Sequence, residues 1–291
     1  MTIAKKLLKA LMWLGLAILG LLIAAYLVLL GINWRDQPPS EGATRLMKLH
    51  TSRPSVADQD NAYVYLMGFS VEPEQDPRAW GIKRIAWARE QLKKSQTAFI
   101  DPKDLPGRDH DFKAQRSSEL QALLKTCNKA VDSQCLKALD NGEKTMAAWL
   151  DSEQWLLARY RTLLAHPAWS ETLPFEMNTP LLPYQNAAEG QKLLLAQAWQ
   201  LAGQGDAAGV KKLLAEDIRF WRQSLAGSDI LIGKMVAANA LKRHFTWAKL
   251  VLRRLPPAVM AQGVPAQWLA PLSDAERSLL RSLAGELAVS D

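Results

Sequence analysis

Residues 10–32 read ALMWLGLAILGLLIAAYLVLLGI, without a charged side chain. At about 1.5 Å of rise per residue, a helix of this length crosses the roughly 30 Å hydrocarbon core of a bilayer. A helix also satisfies its own backbone donors and acceptors where no water reaches them. Lys5, Lys6 and Lys9 precede the run, and Trp13 and Trp34 lie near its ends, the positions of an aromatic belt. The apolar stretch continues through Tyr26–Leu30 with no small-x-small cleavage site after it, so an uncleaved anchor fits better than a signal peptide. The first cysteine is Cys127, far too late for a lipoprotein, and so long a chargeless run does not suit a buried core helix.

Working outward, the lysines before the span predict a cytoplasmic stub over residues 1–9, an anchor over 10–32 and export of the remainder. Arg35, Arg45 and Lys48 on the far side weaken that asymmetry without reversing it. In a bacterium this makes a single-pass inner-membrane protein with its carboxy-terminal domain in the periplasm. Residues 33–59 are expected as linker and connector, because Pro38 and Pro39 cannot continue a helix. Residues 60–291 remain for a helical domain, with a subdivision expected near 167–185, where Pro174, Pro180 and Pro183 cluster.

The net charge is +7, and removing the three anchor lysines leaves +4 on the rest. So mild and dispersed a bias suits a surface near anionic lipid and excludes a nucleic-acid-binding class. Cys127 and Cys135 enclose a short polar segment. They are expected to form a disulfide in an oxidising compartment, or to stay as reduced structural thiols in the cytoplasm.

The remaining chain carries helical periodicity. Asp76-Pro77 opens a helix with Ile82, Ile85, Ala86 and Leu92 on one side. Helix resumes over Ala114–Lys125. Gly142–Ala165 is expected as a single helix with Met146, Trp149, Leu150, Leu157, Tyr160 and Leu164 on its apolar face. Ala187–Leu201 is helical, Gly203–Asp206 a tight turn, and Val210, Leu213, Leu214, Ile218, Trp221 and Leu225 stripe the returning helix. Leu231, Ala238, Leu241, Phe245, Ala248 and Leu252 stripe the next, and Ser273-Asp274-Ala275-Glu276 has capping-box spacing. Asn61–Phe69 fits helix or strand. The expected fold is all-α: an amino-terminal transmembrane helix followed by an irregular bundle of antiparallel hairpins. The turn at Gly203–Asp206 is similar to that of a tetratricopeptide hairpin, but the period does not recur.

Chemistry is sparse. There is no phosphate loop, nucleophile elbow, zinc-protease helix or dinucleotide glycine pattern. His50, His110, His166 and His244 are dispersed, so neither a metal site nor a cofactor is expected. Three polar residues fall where the helical wheel wants apolar ones: Glu153, Asp217 and Lys234. The structural expectation is that Lys234 pairs with Asp217 or Glu153 to fix helix docking. The functional alternative makes them the floor of a pocket, with Glu153 as a general acid of raised pKa. Residues 234–254 carry six basic residues and no acid, with Lys242, Lys249 and Arg253 on one flank. This is either a solvated, well-terminated helix or a landing patch for headgroups or an acidic partner. Trp169, with Phe175 and Tyr184 nearby, is either core or an aromatic groove for glycan or peptide.

The basic stub, the anchor and the segment Asp60-Asn61-Ala62-Tyr63…Gly68-Phe69 before an Asp-Pro helix start resemble uncharacterised single-span envelope proteins of Gram-negative bacteria. The resemblance covers short pieces and implies no activity. The function expected is a tethered, non-enzymatic domain that binds or scaffolds an envelope protein partner. The alternatives are a periplasmic enzyme on cell-wall or lipid-linked material and a glycan- or peptide-binding module.

Overall fold

A computed structural model describes residues 3–33, 38–52, 55–94, 104–111, 116–129, 132–174, 176 and 178–287. The chain divides into two compact units, residues 1–44 and 45–291. The first holds helix α1 (Ile3–Asn33), whose segment Leu8–Ile32 is long and apolar enough to cross a membrane and is nowhere buried. Trp34 lies outside the described residues.

Within residues 33–59, expected as linker and connector, the chain forms helix α2 (Glu41–Thr51). The Ser40 hydroxyl accepts from the Ala43 amide (3.2 Å), so this serine caps a helix directly after Pro38 and Pro39.

In the second unit Asn61–Phe69 resolves as helix α3 (Ala62–Met67), every residue of it buried. Asn61 caps it through the Tyr63 amide (3.1 Å). The same side chain clamps the backbone of Ser170, donating to its carbonyl (2.7 Å) and accepting from its amide (3.0 Å). Helix α4 (Pro77–Lys94) lies against α3 at backbone distance. A Cβ on Gly81 would stand 1.9 Å from the Val64 carbonyl oxygen, and one on Gly68 would stand 2.0 Å from that of Pro77.

That crossing rotates α4 relative to its expected stripe. The inward positions are Pro77, Gly81, Arg84, Ile85, Ala88 and Leu92, while Ile82 faces outward. The buried Arg84 donates to the carbonyls of Met67 (3.1 Å) and Pro106 (2.9 Å) and pairs with Asp109 (2.7 Å). Arg159 does the same for the turn after α3, donating to the carbonyls of Phe69, Val71, Glu72, Pro73 and Gln75. A delocalised cation with five donors is the one side chain able to satisfy so many orphaned carbonyls at once.

Helices α5 (Ser118–Lys129) and α6 (Asp132–Asn141) form a hairpin in which Cys127 and Cys135 sit at disulfide distance, with their Cα atoms 4.6 Å apart. The helix expected over Gly142–Ala165 breaks into α7 (Glu143–Ser152) and α8 (Gln154–Ala165), with Glu153 at the joint.

The centre of the domain is three long helices, α9 (Tyr184–Gly203), α10 (Ala207–Gly227) and α11 (Leu231–Arg254), each packed on the other two. Gly205 turns the chain between α9 and α10 with φ +76°, a conformation that costs glycine nothing. Asp206 then caps α10 through the Gly209 amide (2.8 Å). On α11, Ala238 and Phe245 of the expected stripe face outward, and the inner face is carried by Ala237, Ala240, Leu241, His244, Trp247 and Ala248.

The expected capping box is present at Ser273 and opens a four-residue helix, α12 (Asp274–Arg277), which is followed by α13 (Leu280–Leu287). Among the described residues the fold is all-α, with isolated bridges only at Asn61–Ala168 and Val71–Asp109.

Candidate functional site

The polar interior of the three-helix core is built around Asp217, whose side chain is wholly buried in α10. Tyr160 of α8 donates to its Oδ1 (2.6 Å); Gln191 of α9 (3.0 Å) and His244 Nδ1 of α11 (2.8 Å) donate to its Oδ2. Trp268 Nε1 donates to His244 Nε2 (2.9 Å), so that nitrogen is an acceptor and the ring hydrogen sits on Nδ1. Trp221 Nε1 donates in turn to the Tyr160 hydroxyl (2.8 Å). Burial and then the Asp217 charge push the Tyr160 phenol well above the ordinary tyrosine range, so it stays a donor. Four helices are thus tied to one carboxylate.

The partner differs from the one expected. Lys234 reaches neither Asp217 nor Glu153. Its ammonium donates to the carbonyls of Leu225 (2.9 Å) and Ala275 (3.2 Å), closing the carboxy-terminal turn of α10, where a cation is favoured. Burial holds its pKa below the usual lysine range.

Above this network runs a groove of about 390 Å³ between α9 and α11. Its floor is largely apolar, made by Tyr184, Ala188, Trp221, Val236, Ala240 and Trp247. Its lip carries Gln185, Asn239, Lys242, Arg243 and Thr246. Arg243 Nη1 donates to Gln191 Oε1 (2.6 Å), and the amide of that same glutamine holds Asp217 Oδ2 and the Ala240 carbonyl (3.0 Å each). The guanidinium on the lip is therefore braced through one glutamine by the buried carboxylate. No family model, no curated protein and no solved structure matches this chain.

Glu153 stands elsewhere, on a cleft of about 410 Å³ lined also by Arg116, Lys144, Trp149 and Ser152. Burial pushes its carboxyl above the ordinary glutamate range, against the pull of His110 and Arg116. The neighbouring Glu189 is committed to ion pairs with Arg116 and Lys192. A carboxyl of raised pKa in a cleft has the character of a proton donor.

Trp169 and Tyr184 come together with Tyr63 and Phe220 as buried rings: Trp169 packs edge-on against Tyr63 and Phe220, each at 6.1 Å. Trp169 belongs to the core and not to an open aromatic groove, whereas Tyr184, itself almost wholly buried, also lines the groove between α9 and α11. Phe175 lies outside the described residues. Lys242, Lys249 and Arg253 face outward from α11 as one flank, and only Lys242 reaches the groove lip. Among the described residues no group of three His, Cys, Asp or Glu side chains gathers in a metal-holding arrangement.

His244, Tyr160 and Gln191 carry the network without having stood out in the sequence. One signal was available for His244. It falls at the spacing of Ala237, Ala240, Leu241 and Ala248 on the inner face of α11, where a ring with two polar nitrogens must find partners.

Proposed function

We propose that this protein is a single-pass, membrane-tethered binding domain that holds another envelope component at the periplasmic face of the inner membrane. The supporting observation is the state of the interior. Its acid, imidazole and phenol are locked to one another around Asp217, and what they present outward is a rigid, partly basic groove. Such preorganisation favours binding, because side chains already fixed lose little entropy when a ligand arrives. The three lysines before the span support a cytoplasmic amino terminus, and a cystine at residues 127 and 135 fits an oxidising compartment.

Two measurements in cells test this. A phosphatase reporter that folds only in an oxidising compartment, fused after Asp291, should be active. Photo-crosslinkers placed at Lys242 and Asn239 should capture an envelope component, while one at Lys211 on α10 should not. A cytosolic reporter, or identical capture from all three positions, would refute the proposal.

The raised carboxyl of Glu153 favours a second reading, an enzyme acting on cell-wall or lipid-linked material in the α5–α7 cleft. That reading requires Glu153→Gln to abolish the function in cells while leaving the folded protein at its normal level.

A further inference from the structure

The groove between α9 and α11 combines three features that narrow what it can hold. Its floor is aromatic and aliphatic, with Tyr184, Trp221 and Trp247 beside Val236 and Ala240. At about 390 Å³ it lies within the range of small-ligand sites, roughly 300–1,000 Å³. Both charges on its lip are positive: Lys242 and Arg243 stand in a stretch, residues 234–254, that contains no aspartate or glutamate. Among the described residues no carboxylate pairs with either of them.

Arg243 is more than a surface charge. The bond to Gln191 uses one of its five donors, and Gln191 is itself held by Asp217 and the Ala240 carbonyl. A free arginine loses rotamer entropy when it binds an anion. This one has already lost much of it on folding. The fully buried Asp217 meets the guanidinium only through Gln191, and Lys242 beside it on the lip is exposed.

We infer that this groove is a binding site for an anionic amphiphile: one aliphatic chain on the Trp221–Trp247 floor, with a carboxylate or phosphate head on Arg243 and Lys242. This deepens the binding role proposed above, and rests on it, by naming the chemical class of the component held. A cation is disfavoured by both lip charges. A bare inorganic anion would leave the apolar floor unfilled, and that floor is most of the site.

The test uses the full chain in neutral detergent micelles, titrated with dodecyl phosphate and read by native mass spectrometry. The site predicts a one-to-one adduct, with neither inorganic phosphate nor dodecyltrimethylammonium retained at the same concentration. Arg243→Met should weaken the adduct about tenfold or more, the worth of a charge-assisted hydrogen bond in a partly dry site. Asn239→Trp, at an exposed lip position, should block it while leaving the core network untouched, and decides the matter should Arg243→Met fold poorly.

Equal adducts with wild type and Asn239→Trp would overturn the inference, as would retention of the cationic amphiphile. Retention of inorganic phosphate alone would overturn the amphiphile and leave an anion site. Micelle binding does not depend on which side of a membrane the domain faces. A cytosolic reporter with intact binding would therefore sink the periplasmic reading alone, and a periplasmic reporter without binding would sink this one alone.

Discussion

Replacing Asp217 with alanine removes the acceptor shared by three buried donors. Gln191 keeps its bond to the Ala240 carbonyl, so its amide retains a partner. The Tyr160 hydroxyl and His244 Nδ1 do not, because Tyr160 receives its other bond from Trp221 and His244 Nε2 receives its own from Trp268. Two buried donors orphaned at ~1–3 kcal/mol each imply a loss of about 2–6 kcal/mol, a large part of the stability of an ordinary domain. Urea unfolding of the full chain in neutral micelles, followed by tryptophan fluorescence, should show a lower midpoint with an unchanged slope. Tyr160→Phe removes one of the donors, so in a double-mutant cycle the pair should be less harmful together than the sum of the two, by about 0.5–3 kcal/mol. A loss below about 0.5 kcal/mol for Asp217→Ala, the range of a surface change, would refute the claim that this carboxylate ties the helices together.

Gly81→Ala should destabilise by more than the gain of about 0.5–1 kcal/mol that alanine brings to a helix, because its Cβ would meet the Val64 carbonyl oxygen at 1.9 Å; a more stable variant in the same urea experiment would rule out the close α3–α4 crossing. Reducing the Cys127–Cys135 bridge should lower stability by about 2.5 kcal/mol on the chain-entropy account of so short a loop, and Cys127→Ser should make the protein indifferent to reductant. The Arg222 guanidinium, hydrogen-bonded to Glu276 at 2.5 Å, holds that carboxyl down from its ordinary 4.5 to about 2. A depressed folded-state pKa stabilises above the unfolded value, so this contribution should be complete above pH 4.5 and fade as pH falls towards 2. Glu276→Gln should flatten the acid limb of the stability curve in that window. For Glu153 the sign reverses: burial raises its folded pKa, so ionisation opposes folding at neutral pH. Glu153→Gln should be as stable as wild type or more so at pH 7, with the advantage gone below pH 4.5, and a loss of stability at pH 7 would contradict this.

How much of the fold could be seen in advance depended on how local the controlling interaction is. The helix long and apolar enough to cross a membrane, the Asp76-Pro77 helix start, the turn at Gly205 and the capping box at Ser273 each depend on residues within a turn or two of one another. Exceptions came where a distant contact prevailed. The α3–α4 crossing at two glycines turned Arg84 inward and Ile82 outward, and Glu153 became a joint between two helices instead of a point on one. At the candidate site, Lys242 was legible as an exposed base in an acid-free run. The apolar floor beneath it, and the Gln191–Asp217 brace behind Arg243, come from different helices and were not.

Periodicity and hydropathy along the chain are therefore enough to determine that this protein is all-α, that residues 10–32 can cross a bilayer, and that Asp217 and Lys234 stand near apolar faces. Such a pattern sets the angle at which a side chain leaves its own helix and carries no record of what waits opposite. Only packing decided that Asp217 meets Tyr160, Gln191 and His244, while Lys234 turns to the carbonyls of Leu225 and Ala275. A buried charge accepts any partner that satisfies it, and which one lies within 3 Å is settled by how whole helices dock.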